Sequence, residues 1–473
     1  MNRIITFILL AFGLLFLSCN DDEKFSTSTV DKLAFSGDII SLDTVFSTIP
    51  SSTKSFWVYN KNNEGIRCNS VRLESGNQTG FRVNVNGLYL NSTNGYRAND
   101  VMLYHGDSLR VFVEMTAPVN GQVAPKIISD NLVFELQSGV EQKLKLQAWS
   151  WDATKLSSLH INNDTTIDGG SKPILVFGGI TIAKGAVLNI AAGTILYFNS
   201  DAGIDVYGRL DIAGSSDKNV VIRGSRLDRM FNYLPYDRMS GQWKGIHFYE
   251  SSYNNSIKYC DIHSAFNGVV CDSSDVDKIK LNIEESTIHN CQGYGLKSIN
   301  SNIVALNSQI TNTLNNCIYI DGGNALINAC TIAQFYPFDS NRGAAFCFLS
   351  NHSLKSMSVY NSIITGYADD QLYGFKSEGK DFNYKFSNSI IRTPVVVTSD
   401  SAYFKNVIYE STVNTETVGK NHFLKIDADN QHYDFHLSDK SAAIDKADKI
   451  TAPTLDRNGK NRIGIPDVGA YEY

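Results

Sequence analysis

Small–x–Ile triplets recur through the middle of the chain: Cys260-Asp261-Ile262, Ser286-Thr287-Ile288, Ser308-Gln309-Ile310, Cys330-Thr331-Ile332, Ser362-Ile363-Ile364 and Ser389-Ile390-Ile391. They return at intervals of 22 to 32 residues. A period in the low twenties with short strands predicts a parallel β-helix, whose turns bury their apolar faces only by stacking on one another. Asn307, Asn361 and Asn388 stand directly before the serine, where a tight bend needs a residue tolerant of unusual dihedrals. Counting ten residues on from the small residue reaches Val270, Leu296, Ile318 and Leu372, and Phe346 after a surplus of six. Ile246 starts the same column one coil earlier, and the column is expected to face inward. A leucine-rich repeat would carry a Leu/Asn consensus that is missing here, and a sandwich would not keep a fixed period.

Upstream, residues 32–150 show a different pattern. Stretches such as Phe81-Arg82-Val83-Asn84-Val85 and Leu109-Arg110-Val111-Phe112-Val113 alternate at period two between loop clusters. Seven or so strands in that length predict an immunoglobulin-like sandwich. The chain is therefore expected to be all-β: the sandwich over 32–150, the β-helix over 158–425, and an irregular capping segment over 426–473.

The N-terminus reads as an address. An uncharged apolar run over 4–17 follows Arg3; it is too short to span a bilayer comfortably and suits a signal peptide over 1–18. Phe16-Leu17-Ser18-Cys19 resembles a bacterial lipobox, which implies cleavage before Cys19 and lipid attachment to its thiol. The acidic run Asn20-Asp21-Asp22-Glu23 resembles the export signal of Bacteroidetes surface lipoproteins. The resemblance implies an outer-membrane protein exposed on the surface, with a lipidated tether over 19–31. Acyl chains, at about 0.8 kcal/mol per buried CH₂, would hold it without a membrane-spanning helix. An ordinary cleaved signal with an incidental cysteine is the alternative.

Two further resemblances bear on fold. The segments "ITIAKGAVLNIAAGTILYF" (180–198), "AGIDVYGRLDIA" (202–213) and "QWKGIHF" (242–248) are similar to right-handed parallel β-helix lipoproteins of Bacteroidetes, as is the closing "NGKNRIGIPDVGAYEY" (458–473). "GDSLRVFVE" (106–114) resembles bacterial Ig-like domains of the ASPM-SPD2-Hydin type; a spacer is the expected role of this domain, with ligand binding the alternative. The β-helix resemblance implies no activity, because that family hosts lyases, hydrolases and non-enzymes alike.

Composition narrows the partners. A net charge of −6 leaves no basic excess to neutralise phosphates, which argues against nucleic acid. Seven cysteines follow Cys19 with no zinc-type spacing, so buried free thiols are expected. Asp427, Asp429 and Asp434 lack the spacing and glycine of a calcium loop. No catalytic motif, metal site or cofactor loop is recognised. Asp456, Arg462, Asp467 and Glu472 could form an acid pair, but an arginine held between carboxylates more simply fixes a cap.

A ligand surface is expected where outward residues line up. Alternation gives the row His247, Cys271, Lys297, Tyr319, Cys347 and Tyr373. The two longest insertions, 225–241 and 334–343, both precede the column at Ile246 and Phe346, so they should leave one edge of the coil about four rungs, roughly 19 Å, apart. The expected binding set is Arg229, Tyr236, His247, Lys297, Tyr319, Tyr336 and Arg342, suited to an extended glycan, including an anionic one. The loops could instead merely pack their own aromatics. His263 and His289 stack in phase and read as surface residues. A glycan-binding surface lipoprotein is the leading expectation; a polysaccharide lyase or glycosidase is the alternative, with Lys297 and His247 facing a uronate.

Overall fold

The computed structural model describes residues 24–410 and 418–473. The signal segment and Cys19 lie outside the described residues. The chain divides into two units, Met1–Asp152 and Ala153–Tyr473.

The first unit is a β-sandwich of two five-stranded sheets. One is built around Lys54–Asn60, Ser108–Met115 and Phe81–Val85. The other centres on Glu141–Trp151 and Lys126–Leu136. Pairing is antiparallel except between Glu141–Trp151 and Ile39–Phe46. The alternation works as read: Phe56 and Val58 are buried while Trp57 between them is exposed. Phe25 bridges Gly65 and its ring lies 5.8 Å from Tyr104, so the sandwich already holds the chain from residue 25.

The second unit is the coil. Eleven parallel strands form one sheet and sixteen, also parallel, form another. The six triplet isoleucines stand in a single column: Ile262 pairs with Ile288, Ile288 with Ile310, Ile310 with Ile332, Ile332 with Ile364 and Ile364 with Ile391. Ile222 precedes them. All seven are inaccessible, and each such side chain stabilises the coil by about 1.5–3 kcal/mol relative to exposure.

The corner before this column explains the rest of the triplet. Ser286 Oγ donates to Glu284 O at 2.7 Å and accepts the Cys260 N–H of the preceding coil at 3.1 Å. Ser362 and Ser389 repeat this, accepting from Cys330 N and Ser362 N. A small hydroxyl thus satisfies backbone groups buried at the bend. The residue before it is left-handed in all six triplets, including Asn307, Asn361 and Asn388 at φ 46°, 49° and 49°. Tyr259, Glu285 and Ala329 adopt the same conformation, so neighbouring coils impose it even where asparagine is absent.

The inner column of the other sheet runs Ile246, Val269, Leu296, Ile318, Phe346 and Leu372. Val269 takes the place expected of Val270, because the corner after Ile262 is one residue shorter than the corner after Ile288. Gly245 lets the first insertion return to the coil: at φ 98° a Cβ there would sit 1.6 Å from Asn267 O.

All seven described cysteines after Cys19 are free and buried. Burial pushes the Cys68, Cys271, Cys317, Cys330 and Cys347 thiols up to about 12.

The C-terminal segment lies along the flank of the coil, over the outer face of the eleven-stranded sheet. Its hairpin, Phe423–Asp427 with His432–Leu437, packs Phe423 and Phe435 on Phe335, Ile363 and Ile390. Farther on, Arg457 reaches Asn219 and Thr287, and Ala470 N donates to Thr331 Oγ1. Arg462 is the knot of this strap. Its guanidinium meets Glu472 Oε2 and Asp467 O at 2.9 Å and Gly469 O at 2.7 Å. Asp456 and Asp467 accept backbone N–H groups of the same segment. The acids of the closing motif are therefore engaged in holding it.

Candidate functional site

Strand alternation builds a row on the outside of the sixteen-stranded sheet: His247, Val270, Lys297, Tyr319, Cys347 and Tyr373. Val270 stands where Cys271 was expected; Cys271 points inward for the same one-residue reason. Lys297 Nζ lies 5.1 Å from the Tyr294 ring and 5.8 Å from the Tyr319 ring. Among the described residues no carboxylate pairs with this ammonium. Burial pushes the Tyr319 phenol up to about 12. His247 Nε2 meets Asp272 Oδ1 at 2.9 Å, and its ring stacks on Tyr249, which stacks on Tyr207, both at 4.1 Å. Beside them opens a groove of about 630 Å³ lined by Lys184, Tyr207, Tyr249, Glu250, Tyr253 and Asp272.

The two insertions leave one edge of the coil and meet there, Ser240 Oγ lying 2.8 Å from the Tyr336 hydroxyl. They do not wall the row. Asp237 pairs with Arg223, its carbonyl accepts from Ser264, and Phe335 packs under the C-terminal hairpin, all on the eleven-stranded side. Arg229 bonds Asn232 O, Tyr236 lies under Arg226 at 3.6 Å, and Arg342 covers Tyr367 at 4.7 Å. Tyr336 is buried. The structure thus groups His247, Lys297 and Tyr319 on one flank and places Arg229, Tyr236, Tyr336 and Arg342 on another.

That second flank holds a cleft of about 330 Å³ between sheet and strap. On its floor, Asp261 Oδ1 receives His263 Nδ1 at 2.9 Å and His289 Nε2 at 3.1 Å, and the two imidazoles stack at 4.7 Å. His263 is buried, not a surface residue, and Asp261 is the carboxylate in phase with it. The signal was in the sequence: Asp261 and His263 are two apart on one strand and so share a face. Burial alone would raise the Asp261 carboxyl, but the charge and hydrogen bonds of both histidines outweigh it and hold it well below the carboxylate range. Burial pushes the His263 imidazole down despite Asp261. From the strap, His436 meets Asp434 at 2.6 Å and packs on Tyr471 at 4.2 Å, while the Tyr471 hydroxyl donates to Gln309.

Both surfaces ride on one coil, and comparison with known proteins speaks to that coil. Residues 163–332 match the family described as a right handed beta helix region. The column register from Ile222 to Ile332 falls inside that right-handed β-helix region, as do the row from His247 to Tyr319 and the Asp261 cluster. A solved structure similar to part of the chain is the ASH / PapD-like domain of human CEP192 (PapD-like domain 7), at 11% identity over 27% of this chain and 87% of that one, with a TM-score of 0.17. No curated protein matches the chain. Among the described residues, no helix is long and apolar enough to cross a membrane.

Proposed function

We propose that the chain is a surface-exposed outer-membrane lipoprotein of the Bacteroidetes kind, anchored through Cys19, whose β-helix binds an extended acidic glycan along His247, Lys297 and Tyr319. The observation that carries this reading is Lys297 held between the Tyr294 and Tyr319 rings with no acidic partner among the described residues. An ammonium on an aromatic platform offers a uronate both a charge and a stacking face. Successive row members stand about 4.8 Å apart, so one saccharide chain along the coil axis can meet several of them. The groove at Tyr207, Tyr249 and Tyr253 extends the surface past His247. The anchor reading rests on Ser18-Cys19 and the acidic run after it.

The purified full chain, titrated with acidic and neutral polysaccharides, is expected to retain the acidic ones. Lys297→Ala with Tyr319→Ala is expected to weaken binding at least tenfold, about 1.4 kcal/mol. Binding that ignores both substitutions, or a preference for neutral chains, contradicts the reading. Cys19→Ala is expected to abolish detergent-phase partitioning; its persistence would rule out the anchor. The alternative, a lyase or glycosidase, draws on the histidines and aspartates of the flanking cleft. Unsaturated or reducing ends released from the same polysaccharides would establish it.

A further inference from the structure

Asp261, His263 and His289 come from two adjacent coils, and nothing in the glycan reading uses them. We infer that they form a binding site for one divalent first-row transition ion, zinc being the first probe. Their donor atoms, one carboxylate oxygen and two imidazole nitrogens, all lie within 4.8 Å of one another. Two of these separations, 2.9 and 3.1 Å, are those of ligand atoms sharing an ion about 2 Å from each.

The support around the cluster is of the kind a metal site needs. His263 is fixed from behind, since Trp243 Nε1 donates to its carbonyl at 2.8 Å and Trp243 is itself buried. The parallel strands hold His263 and His289 in register, so the ring stack follows from the fold and not from side-chain choice. The cleft above the cluster leaves room for a water or substrate atom as a further ligand, the arrangement of an open site. Asp237 lines the same cleft; Arg223 pairs with its Oδ2 at 3.5 Å, while its Oδ1 is buried without a hydrogen-bond partner. Two nitrogen donors out of three select against calcium and magnesium, which take oxygen shells. Binding needs a tautomer change: the proton on His263 Nδ1 moves to Nε2, and that on His289 Nε2 moves to Nδ1.

The test uses the full chain, freed of metal by a chelator and titrated with Zn²⁺ against a chromophoric competitor, then with Co²⁺. One equivalent is expected per chain. Asp261→Asn and His289→Ala are each expected to weaken it by more than the roughly 10–100-fold that loss of an outer-shell partner costs. His352→Ala, which removes another His–Asp pair on the sixteen-stranded sheet, is expected to change nothing. Should the variants fail to fold, the Co²⁺-loaded wild type decides: two paramagnetically shifted, exchangeable imidazole N–H signals are expected. No saturable Zn²⁺ binding, binding undiminished in the Asp261→Asn, His289→Ala double variant, or the absence of those two signals overturns the inference. Glycan binding enters none of these readouts, so either proposal can fail alone.

Discussion

Ser240 and Tyr336, 96 positions apart in the chain, bring their hydroxyls to 2.8 Å. The bond closes two long insertions into one roof over the eleven-stranded flank, and Tyr336 is nearly inaccessible beneath it. Tyr336→Phe is expected to cost about 0.5–1.5 kcal/mol. It should also speed proteolysis within 225–241, without changing ligand binding on the opposite row. Denaturant midpoints and limited proteolysis check both effects.

The register of the coil makes a sharper contrast between neighbouring coils. Leu296 points into the core and Val270 points out. Leu296→Ala is expected to destabilise by about 2–5 kcal/mol, the range for a core truncation. Val270→Ser is expected to stay within about 0.5 kcal/mol. Urea unfolding of the two variants checks the assignment, and equal losses would contradict it.

Arg462 carries the strap. Burial pushes its guanidinium down and the Glu472 carboxyl up, yet each finds the other at 2.9 Å. Arg462→Ala leaves that carboxylate and three backbone carbonyls without their donor, and is expected to cost about 3–5 kcal/mol. Hydrogen exchange should then show the strap opening below the global unfolding free energy.

Alkaline pH is expected to weaken the fold. Burial raises the thiols of Cys68, Cys271, Cys317, Cys330 and Cys347 to about 12, against about 8.5 for an unfolded cysteine. The unfolded chain therefore loses these protons first, so their contribution is intact below about pH 8.5 and declines as pH rises toward 12. Denaturant midpoints between pH 7 and 10 should fall. A thiol reagent at pH 8 should label the native chain slowly and the unfolded chain fully.

The isoleucine column was legible in the sequence because triplet and column share one phase from Cys260 to Ile391. The second column was legible except at Val270, where a corner shortened by one residue inverts inside and outside. The same shift turns Cys271 inward, where it is buried. The edge from which the insertions emerge also followed from counting. The side to which they lean did not, because it depends on Phe335 meeting Phe423 and Phe435, residues about 90 to 100 positions later with no shared period. The Asp261 cluster is hidden for another reason: Asp261 stands at the variable middle of a triplet, and although its spacing to His263 is visible on one strand, His289 joins them only when the outward faces of two coils are laid side by side.

In the proposed function the outward-facing row on the sixteen-stranded sheet, not the roofed cleft, receives the ligand. Hydrogen exchange of the full chain with and without saturating acidic oligosaccharide tests it most directly. New protection is expected in Leu296–Leu306 and Ile318–Asn328, with none in Cys260–His263 or His432–Leu437. Protection confined to the latter pair would contradict it.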